Sequence, residues 1–401
     1  MPRAVVILPS TTYRAGDFIE AAESLGVDLV VASEHPPPLD MGDRYLQIDC
    51  SNAQRAASEI ARLGDDIPLD AVVAADDAGV VIAAIVGTEL GLAANEPDAA
   101  LATRDKAEMR RRFDSAEVPQ PGYALLETDD DSQSLAEKVG FPLVVKPVNR
   151  SASQGVLRAN NPAELKDAIA RIEEILGPDQ CRPLLLEEYM PGTEVAIEGL
   201  VRDGRLTVLT VFDKPDTPSG PAFPETILVT PTRLPDETRD ECVRVAELAI
   251  QGLGLTHGPV HIELKVGENR VRVLEVAARS IGGLCSRSLS FGLMDTTLET
   301  LILRNAMRMD KPELRRETHA SGVLMIPIDK SGILREVRGI EETRAIEGIT
   351  GVDIAIPVGT KVFPPPEGDR YLGFVFARGT DPGGVEAALR KAMETAEPLI
   401  E

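Results

Sequence analysis

The 401-residue sequence predicts a mixed α/β and α+β protein with three regions, at 1–110, 111–310 and 311–401. The first region alternates short β-branched runs with helix-like segments, as in AVVILPS, DFIEAAESLG and VDLVVAS, which predicts a parallel α/β domain. The second region contains hairpin-like strand pairs, which favour antiparallel sheet with flanking helices. The third contains strands and a closing helix at 383–396, which predicts an α+β subdomain.

The charge balance is acidic. Lys and Arg together number 42, Asp and Glu number 65, and the formal net charge is −23. Such a surface repels phosphate backbones and anionic lipids, so we expect neither nucleic acid nor a membrane as a partner.

The cysteines and the opening residues predict a cytoplasmic protein. The apolar run in MPRAVVILPSTTYR is too short for a secretory signal or a membrane span. Four cysteines without CxxC spacing are expected to be reduced, namely Cys50, Cys181, Cys242 and Cys285.

Several common motifs are absent from the sequence. GxGxxG does not follow the first strand and GxxxxGK[ST] does not occur, so a nucleotide would have to be bound by other residues. GxSxG and HExxH are also missing, which argues against a hydrolase.

A lysine and the loop after it predict a phosphate site. Lys146 lies in the apolar run VVKPV, where its burial is costly unless an anion meets it. A phosphate would supply that anion; the alternative is an edge-strand lysine that reaches solvent. The segment 149–156, NRSASQGV, contains Ser153 and Gly155 and is typical of a mobile loop whose N–H groups fold over phosphates, or of an ordinary connector.

The segment 184–199, LLLEEYMPGTEVAIEG, predicts a hinge strand beside a nucleotide base. Its backbone would lie along an adenine edge, and Glu187 and Glu194 would accept hydrogen bonds from the amino group and the ribose hydroxyls. The alternative is a pair of surface carboxylates at a strand end.

The segment 260–283, VHIELKVGENRVRVLEVAARSIGG, predicts a hairpin with one polar face. A three-residue loop at Gly267–Asn269 would place Glu275 opposite His261 and diagonal to Glu263. A two-residue loop would instead pair Glu263 with Leu274 and turn Glu275 to the other face.

Two carboxylates on one face of this hairpin would suit Mg²⁺ bound to a triphosphate, because Mg²⁺ prefers hard oxygen ligands. The alternative is ion pairing of Glu263 and Glu275 with Lys265 and Arg279. Arg279 also precedes two glycines, so it could place a cation and backbone N–H groups around an oxyanion. A turn with a surface arginine is the alternative there.

Five motifs, taken in order, resemble the ATP-grasp superfamily: Lys106 in TRDKAEMRRRF, Lys146 in VVKP, SASQGV, EEYMPGTE, and Glu263 with Glu275 and Arg279. Within it, HGPVHIEL, EVAARSIGGLCSRSL and the tail RYLGFVFARGTDPGGVEAALRKA resemble the L-amino acid ligase branch, which is related to biotin carboxylase. The resemblance implies an ATP-grasp fold, with an amino-terminal parallel α/β domain, a two-lobed ATP-binding core and a carboxy-terminal α+β subdomain.

The resemblance also implies residue roles. Glu263 and Glu275 would bind Mg²⁺, or Mn²⁺ in its place; Ala277 stands where the family commonly has asparagine, and water would fill that ligand position. The groups expected to bind ATP are Lys106, Lys146, Ser153, Gly155, Glu187, Tyr189, Met190 and Glu194. Those expected in catalysis are Arg279, Gly282 and Gly283, and those expected to contact substrate are His261, Arg279 and Gly283.

The activity implied is ATP-dependent joining of a small carboxylic acid, activated as an acyl phosphate, to an amine, with amino acids as expected substrates. A homodimer is an assembly the resemblance allows. The alternatives are a carboxylase or carbamoyl-type ligase that activates bicarbonate, and an ATP-binding regulatory protein without turnover, for which Ala277 is the hint.

Overall fold

A computed structural model describes residues 1–9, 14–35, 42–177, 182–268, 270–291, 296–309 and 317–401. Two residues named above, Cys181 and Asn269, lie outside this described part. Within it, no helix is both long enough and apolar enough to cross a bilayer.

The amino-terminal region forms a parallel four-stranded sheet in the order β3–β2–β1–β4, which confirms the predicted α/β domain. Its β-branched and alanine residues are buried between the sheet and its helices. The strands are β1 (Arg3–Ile7), β2 (Asp28–Ser33), β3 (Tyr45–Gln47) and β4 (Ala71–Ala74). The helices are α1 (Ala15–Leu25), α2 (Ala53–Asp66), α3 (Val80–Leu90) and α4 (Pro97–Ala102).

A small antiparallel lobe follows, with the sheet order β5–β8–β6–β7. Its elements are β5 (Tyr123–Leu126), α6 (Ser132–Val139), β6 (Leu143–Pro147), β7 (Leu157–Ala159), α7 (Pro162–Leu176) and β8 (Leu184–Glu188). The helix before the lobe, α5 (Lys106–Ser115), instead packs Met109 and Phe113 into the core shared with the amino-terminal domain. Asp105 caps α5 by accepting hydrogen bonds from the N–H groups of Ala107 and Glu108, and this cap sets Lys106 in the first helical turn.

The largest sheet has eight antiparallel strands in the order β13–β12–β9–β10–β11–β14–β18–β16. Its strands are β9 (Thr193–Arg202), β10 (Arg205–Lys214), β11 (Ile227–Thr230), β12 (His257–Val266), β13 (Val271–Ala277), β14 (Ala320–Ile326), β16 (Ile349–Ile354) and β18 (Gly373–Gly379). Helices α8 (Asp236–Leu253), α9 (Leu298–Ala306) and α11 (Pro382–Thr395) contact it.

A three-stranded sheet, β17–β15–β19, completes the carboxy-terminal part. It is formed by β15 (Gly332–Arg338), β17 (Lys361–Val362) and β19 (Glu397–Ile400), with α10 (Ile340–Arg344) between β15 and β16. The eight-stranded sheet runs across residue 311, because β11 pairs with β14. The proposed boundaries between the three regions remain predictions.

The predicted register of the β12–β13 hairpin is wrong, although the predicted shared face is right. Val266 pairs with Val271. Gly267 then donates its N–H to the Arg270 carbonyl, which leaves only two residues between these two and makes the loop shorter than the predicted three residues. A β-bulge then adds one residue to β13, and Glu275 pairs directly with Glu263 rather than with His261. The bulge restores the common face that the short loop alone would have removed.

Candidate active site

Lys146 on β6 is buried beside an anion of the chain itself. Its Nζ lies 2.6 Å from Glu187 Oε2, and Arg110 Nε lies 2.7 Å from Glu187 Oε1. Burial lowers the pKa of Lys146, and although burial alone would raise the pKa of Glu187, Arg110 and Lys146 bring it to about 2. Lys146 and Arg110 share the single negative charge of Glu187, so the positive charge of the lysine is only partly balanced. Lys146 is 5% exposed, which excludes an edge lysine reaching solvent.

Lys106 joins the small lobe to the large sheet. Its Nζ donates to the Arg150 carbonyl at 2.6 Å and to Glu275 Oε1 at 2.9 Å. Its backbone N–H donates to the Val148 carbonyl, at the beginning of the candidate phosphate loop. Lys106 therefore lies where that loop and the β12–β13 hairpin meet.

The candidate phosphate loop contacts the carboxy-terminal region. Ser153 and Gly155 have left-handed backbone, with φ of +58° and +68°. Gly155 donates its N–H to the Pro366 carbonyl at 2.9 Å, and Gln154 Nε2 donates to the Glu367 carbonyl at 3.1 Å. The Gly155 N–H must leave Pro366 before it can bind a phosphate.

The hinge after β8 is partly engaged within the protein. Tyr189 donates its N–H to the Pro142 carbonyl at 3.1 Å, and the Arg158 guanidinium lies 4.0 Å from the Tyr189 ring centroid. Met190 is buried. The Glu187 carboxylate, expected at the adenine amino group, is held by Lys146 and Arg110 instead.

An acidic cluster lies on the polar face of the large sheet. Among the residues the structure describes, carboxylate oxygens of Glu194, Glu225 and Glu263 come within 4.8 Å of one another. Lys214, at the end of β10, contacts all three, with Nζ 3.0 Å from Glu263 Oε1. Burial alone would lower the pKa of Lys214, but the carboxylates raise it well above the ordinary value. The three carboxylates therefore form a cation-binding cluster, and the ammonium group of Lys214 provides the cation.

Glu263 and Glu275, the expected metal ligands, lie on one face of the hairpin. Their ion pairs are not those with Lys265 and Arg279 that the sequence offered as the alternative. Glu263 contacts Lys214 and Glu275 contacts Lys106, whereas Lys265 Nζ lies 3.1 Å from Glu194. Glu194, expected at the ribose hydroxyls, thus contacts two lysines. Two hard carboxylate ligands on one face fit a divalent cation, so the donor set agrees with Mg²⁺.

His261 lies between two carboxylates. Its Nδ1 is 3.1 Å from Glu198 Oε2 and its Nε2 is 3.8 Å from Glu263 Oε1. Burial alone would lower the pKa of His261, but the hydrogen bond to Glu198 and the negative charge of Glu263 raise it to about 9. The two carboxylates therefore favour the protonated imidazole.

Arg279 contacts the amino-terminal domain. Its Nε lies 3.3 Å from Asp77 Oδ1, which also binds Arg104 at 2.9 Å. The Arg279 side chain is 16% exposed, so it is not the surface arginine considered as the alternative. Gly283 has φ of +59°, and a Cβ there would lie 2.5 Å from the Phe374 ring, whereas a Cβ at Gly282 would meet open space.

Sequence reasoning missed five charged residues of this site: Asp77, Arg110, Glu198, Lys214 and Glu225. One pattern could have identified Lys214, because Lys214–Pro215 ends an apolar strand just as Lys146–Pro147 does. Arg110 stands in a run of three arginines and is the one that is almost fully buried. The remaining contacts join distant parts of the chain and leave no local pattern.

Comparisons with known proteins agree with this architecture. Residues 139–288 match the ATP-grasp domain model, and residues 324–400 match the L-amino acid ligase C-terminal domain 2 model. The structure is similar to that of L-amino acid ligase from Bacillus licheniformis, with a TM-score of 0.83 at 24% identity over 100% of this chain and 99% of that one. Biotin carboxylase from Campylobacter jejuni gives 0.69 at 14% identity, over 99% and 92% of the two chains.

Among sequences, the alanine–anticapsin ligase of Bacillus subtilis is 28% identical over 249 residues. That match covers 57% of this chain and about half, 52%, of the ligase.

The fold and the family matches together define a protein with an ATP-grasp domain, in a fold shared with L-amino acid ligase and biotin carboxylase. More particularly, the chain carries an ATP-grasp domain followed by an L-amino acid ligase C-terminal domain 2, and its sequence is similar to that of alanine–anticapsin ligase.

Proposed function

We propose that this protein uses ATP to activate a carboxylic acid as an acyl phosphate and joins it to an amine, with amino acids as substrates and an amide or dipeptide as product. One observation carries the proposal: Glu263 and Glu275 face each other in the large sheet, and each is paired with a lysine, Lys214 or Lys106. Such a site offers carboxylates for a divalent cation and lysines for a triphosphate.

The small lobe, together with Lys106 at the start of α5 and Glu194 on β9, supplies the proposed nucleotide site. Lysines and loop N–H groups compensate the phosphates. Because Lys146 contacts Glu187 here, ATP binding requires that this lysine share its charge with a phosphate. The proposed phosphate ligands are Lys106, Lys146, Ser153 and Gly155; the proposed adenosine ligands are Glu187, Tyr189, Met190 and Glu194.

The large sheet supplies the proposed metal and acid sites. Glu263 and Glu275 would hold Mg²⁺, or Mn²⁺, which neutralises triphosphate charge when bound. Arg279 would hold the negative oxygens of the activated acid, aided by backbone at Gly282 and Gly283. His261, buried at the same face, is the proposed cation on the substrate side.

The proposed reaction has two steps, phosphoryl transfer to the acid and attack of the amine on the acyl phosphate. A carboxylate oxygen attacks the γ-phosphorus of ATP, a new P–O bond forms, and the bond to the β-phosphate oxygen breaks to release ADP. The amine nitrogen then attacks the acyl carbon, loses a proton, and expels phosphate that carries away one oxygen of the acid. Exclusion of water by the loop around 150–156 protects the acyl phosphate.

A phosphate-release screen with ATP, Mg²⁺ and pairs of amino acids tests this proposal, with products identified by mass spectrometry. We expect ADP and phosphate release that needs both an acid and an amine, together with a condensation product. Release that requires bicarbonate and no amino acid would instead assign the carboxylase or carbamoyl-type reaction. ATP binding without release in every mixture would contradict turnover.

A further inference from the structure

Glu198 on β9 is a fully buried carboxylate that none of the proposed catalytic roles uses. It is 0% exposed and pairs in register with His261 on the neighbouring strand β12. An isolated buried carboxylate is strongly unfavourable unless its oxygens accept hydrogen bonds. Its partners therefore show what it stabilises.

The two partners of Glu198 belong to different parts of the site. Oε2 lies 3.1 Å from Nδ1 of His261, whose other ring nitrogen faces Glu263. Both carboxylate oxygens lie 3.1 Å from the backbone N of Ile281. Ile281 stands between Arg279 and Gly282, the residues proposed to hold the activated acid.

The same peptide segment is also held from the opposite side. Arg14 Nη1 donates to the Ser280 hydroxyl at 2.7 Å and to the Ile281 carbonyl at 3.2 Å. Arg14 itself is 2% exposed and is paired with Glu299 on α9. The N–H of Ile281 is thus fixed by the large sheet, and its carbonyl by the amino-terminal domain.

We propose that Glu198 is a positioning residue that fixes the segment Arg279–Gly283 against the metal-binding side of the cleft, through His261 and the Ile281 N–H. This inference rests on the proposed function, because the distance it sets is that between the activated acid and the γ-phosphate. A displacement of about 1 Å at such a distance costs on the order of a hundredfold in rate.

Two variants of Glu198 separate positioning from folding. Glu198→Ala removes both interactions, and we expect kcat/KM for the acid to fall about a hundredfold while the Kd of ATP changes less than about threefold, since neither His261 nor Ile281 is a proposed ATP ligand. Glu198→Gln keeps an oxygen for the Ile281 N–H, so its loss should be nearer tenfold. Amide hydrogen exchange at Ile281 should accelerate in the alanine variant and much less in the glutamine variant.

The matched control is Asp213→Asn. Asp213 is a buried carboxylate on β10 that binds Thr232 and Arg233 and has no contact with Ile281. We expect this variant to lose stability with kcat/KM within about twofold of wild type.

The outcomes distinguish the two proposals. Wild-type protein that shows no acid- and amine-dependent ADP release would contradict the proposed function, and the positioning role with it. If wild type is active and Glu198→Ala matches it in kcat/KM and in exchange at Ile281, the positioning role is wrong and the function stands. A fall in kcat/KM matched by an equal loss of ATP binding would also overturn it, because that pattern reports general unfolding.

Discussion

Glu263 and Glu275 lie directly opposite each other on β12 and β13, yet their carboxylates contact different lysines. Lys214 reaches Glu263 from the large sheet, and Lys106 reaches Glu275 from the first turn of α5. Each carboxylate thus has a positive charge beside it, which offsets the repulsion between the two. Under the proposed function, a divalent cation at the same oxygens would compete with both ammonium groups and leave them available to a triphosphate.

Glu275→Gln is expected to raise the Mg²⁺ requirement about tenfold and to lower turnover about a hundredfold, because one charged ligand is lost. The fold should lose about 1 kcal/mol or less, since the Glu275 side chain is 27% exposed. ADP release measured across a Mg²⁺ titration, together with thermal unfolding, checks both. Glu341→Gln, at an 81% exposed side chain, is the control. Unchanged Mg²⁺ dependence of the Glu275 variant would remove it from the metal site.

Lys146→Ala and Glu187→Ala should separate ATP binding from stability. Removing Lys146 leaves a neutral Glu187–Arg110 pair, so the main expected effect is weaker ATP binding and about a hundredfold lower turnover. Removing Glu187 leaves two buried cations unpaired and should cost about 3 to 5 kcal/mol of unfolding free energy. Denaturant unfolding and ATP titration measure the two effects. Equal destabilisation by both variants, or unchanged ATP affinity without Lys146, would contradict this assignment.

The contact between Asp77 and Arg279 should make stability depend on pH in the acid range. Burial alone would raise the pKa of Asp77, but Arg279 and Arg104 lower it from 3.8 to about 2. Because the folded pKa lies below the unfolded one, the contribution is fully present above pH 3.8 and is lost as pH falls towards 2. This contribution of Asp77 to the free energy of unfolding amounts to about 2 kcal/mol.

The free energies of unfolding of wild type and Asp77→Asn, measured against pH, check this. The difference between the two proteins should be largest above about pH 5 and should close on acidification. A difference that stays constant down to the lowest pH would mean that the Asp77 charge does not stabilise the fold.

Gly155→Ala tests the loop over the proposed phosphate site. The residue has φ of +68°, and a Cβ there would lie 2.9 Å from Pro147 Cγ, so the loop has to shift. Gly91→Ala has nearly the same φ, +67°, but meets open space. Both should cost about 1 kcal/mol from backbone strain. Only the Gly155 variant should lower turnover; equal turnover in the two variants would show that the loop does not act at the phosphates.

The sequence predicted those parts of the site that follow strand periodicity. Alternation indicated which face each carboxylate takes on its own strand, but the shared face of Glu263 and Glu275 was predicted from a three-residue loop, and the structure produces that face by a bulge instead. The apolar run around Lys146 indicated a buried lysine that needs an anion. The register was missed because the bulge at Leu274 adds a residue without any local pattern. The contacts of Glu187 and Arg279 were missed because Arg110 and Asp77 come from elements distant in sequence.

The most direct test of the acyl-phosphate claim follows oxygen from the acid to phosphate. The wild-type protein is given ATP, Mg²⁺, an amine and an amino acid labelled with ¹⁸O in its carboxylate, and the released phosphate is analysed by mass spectrometry. We expect one ¹⁸O atom in each phosphate formed with product, because the acyl carbon–oxygen bond breaks when the amine attacks. Condensation product accompanied by unlabelled phosphate would contradict it.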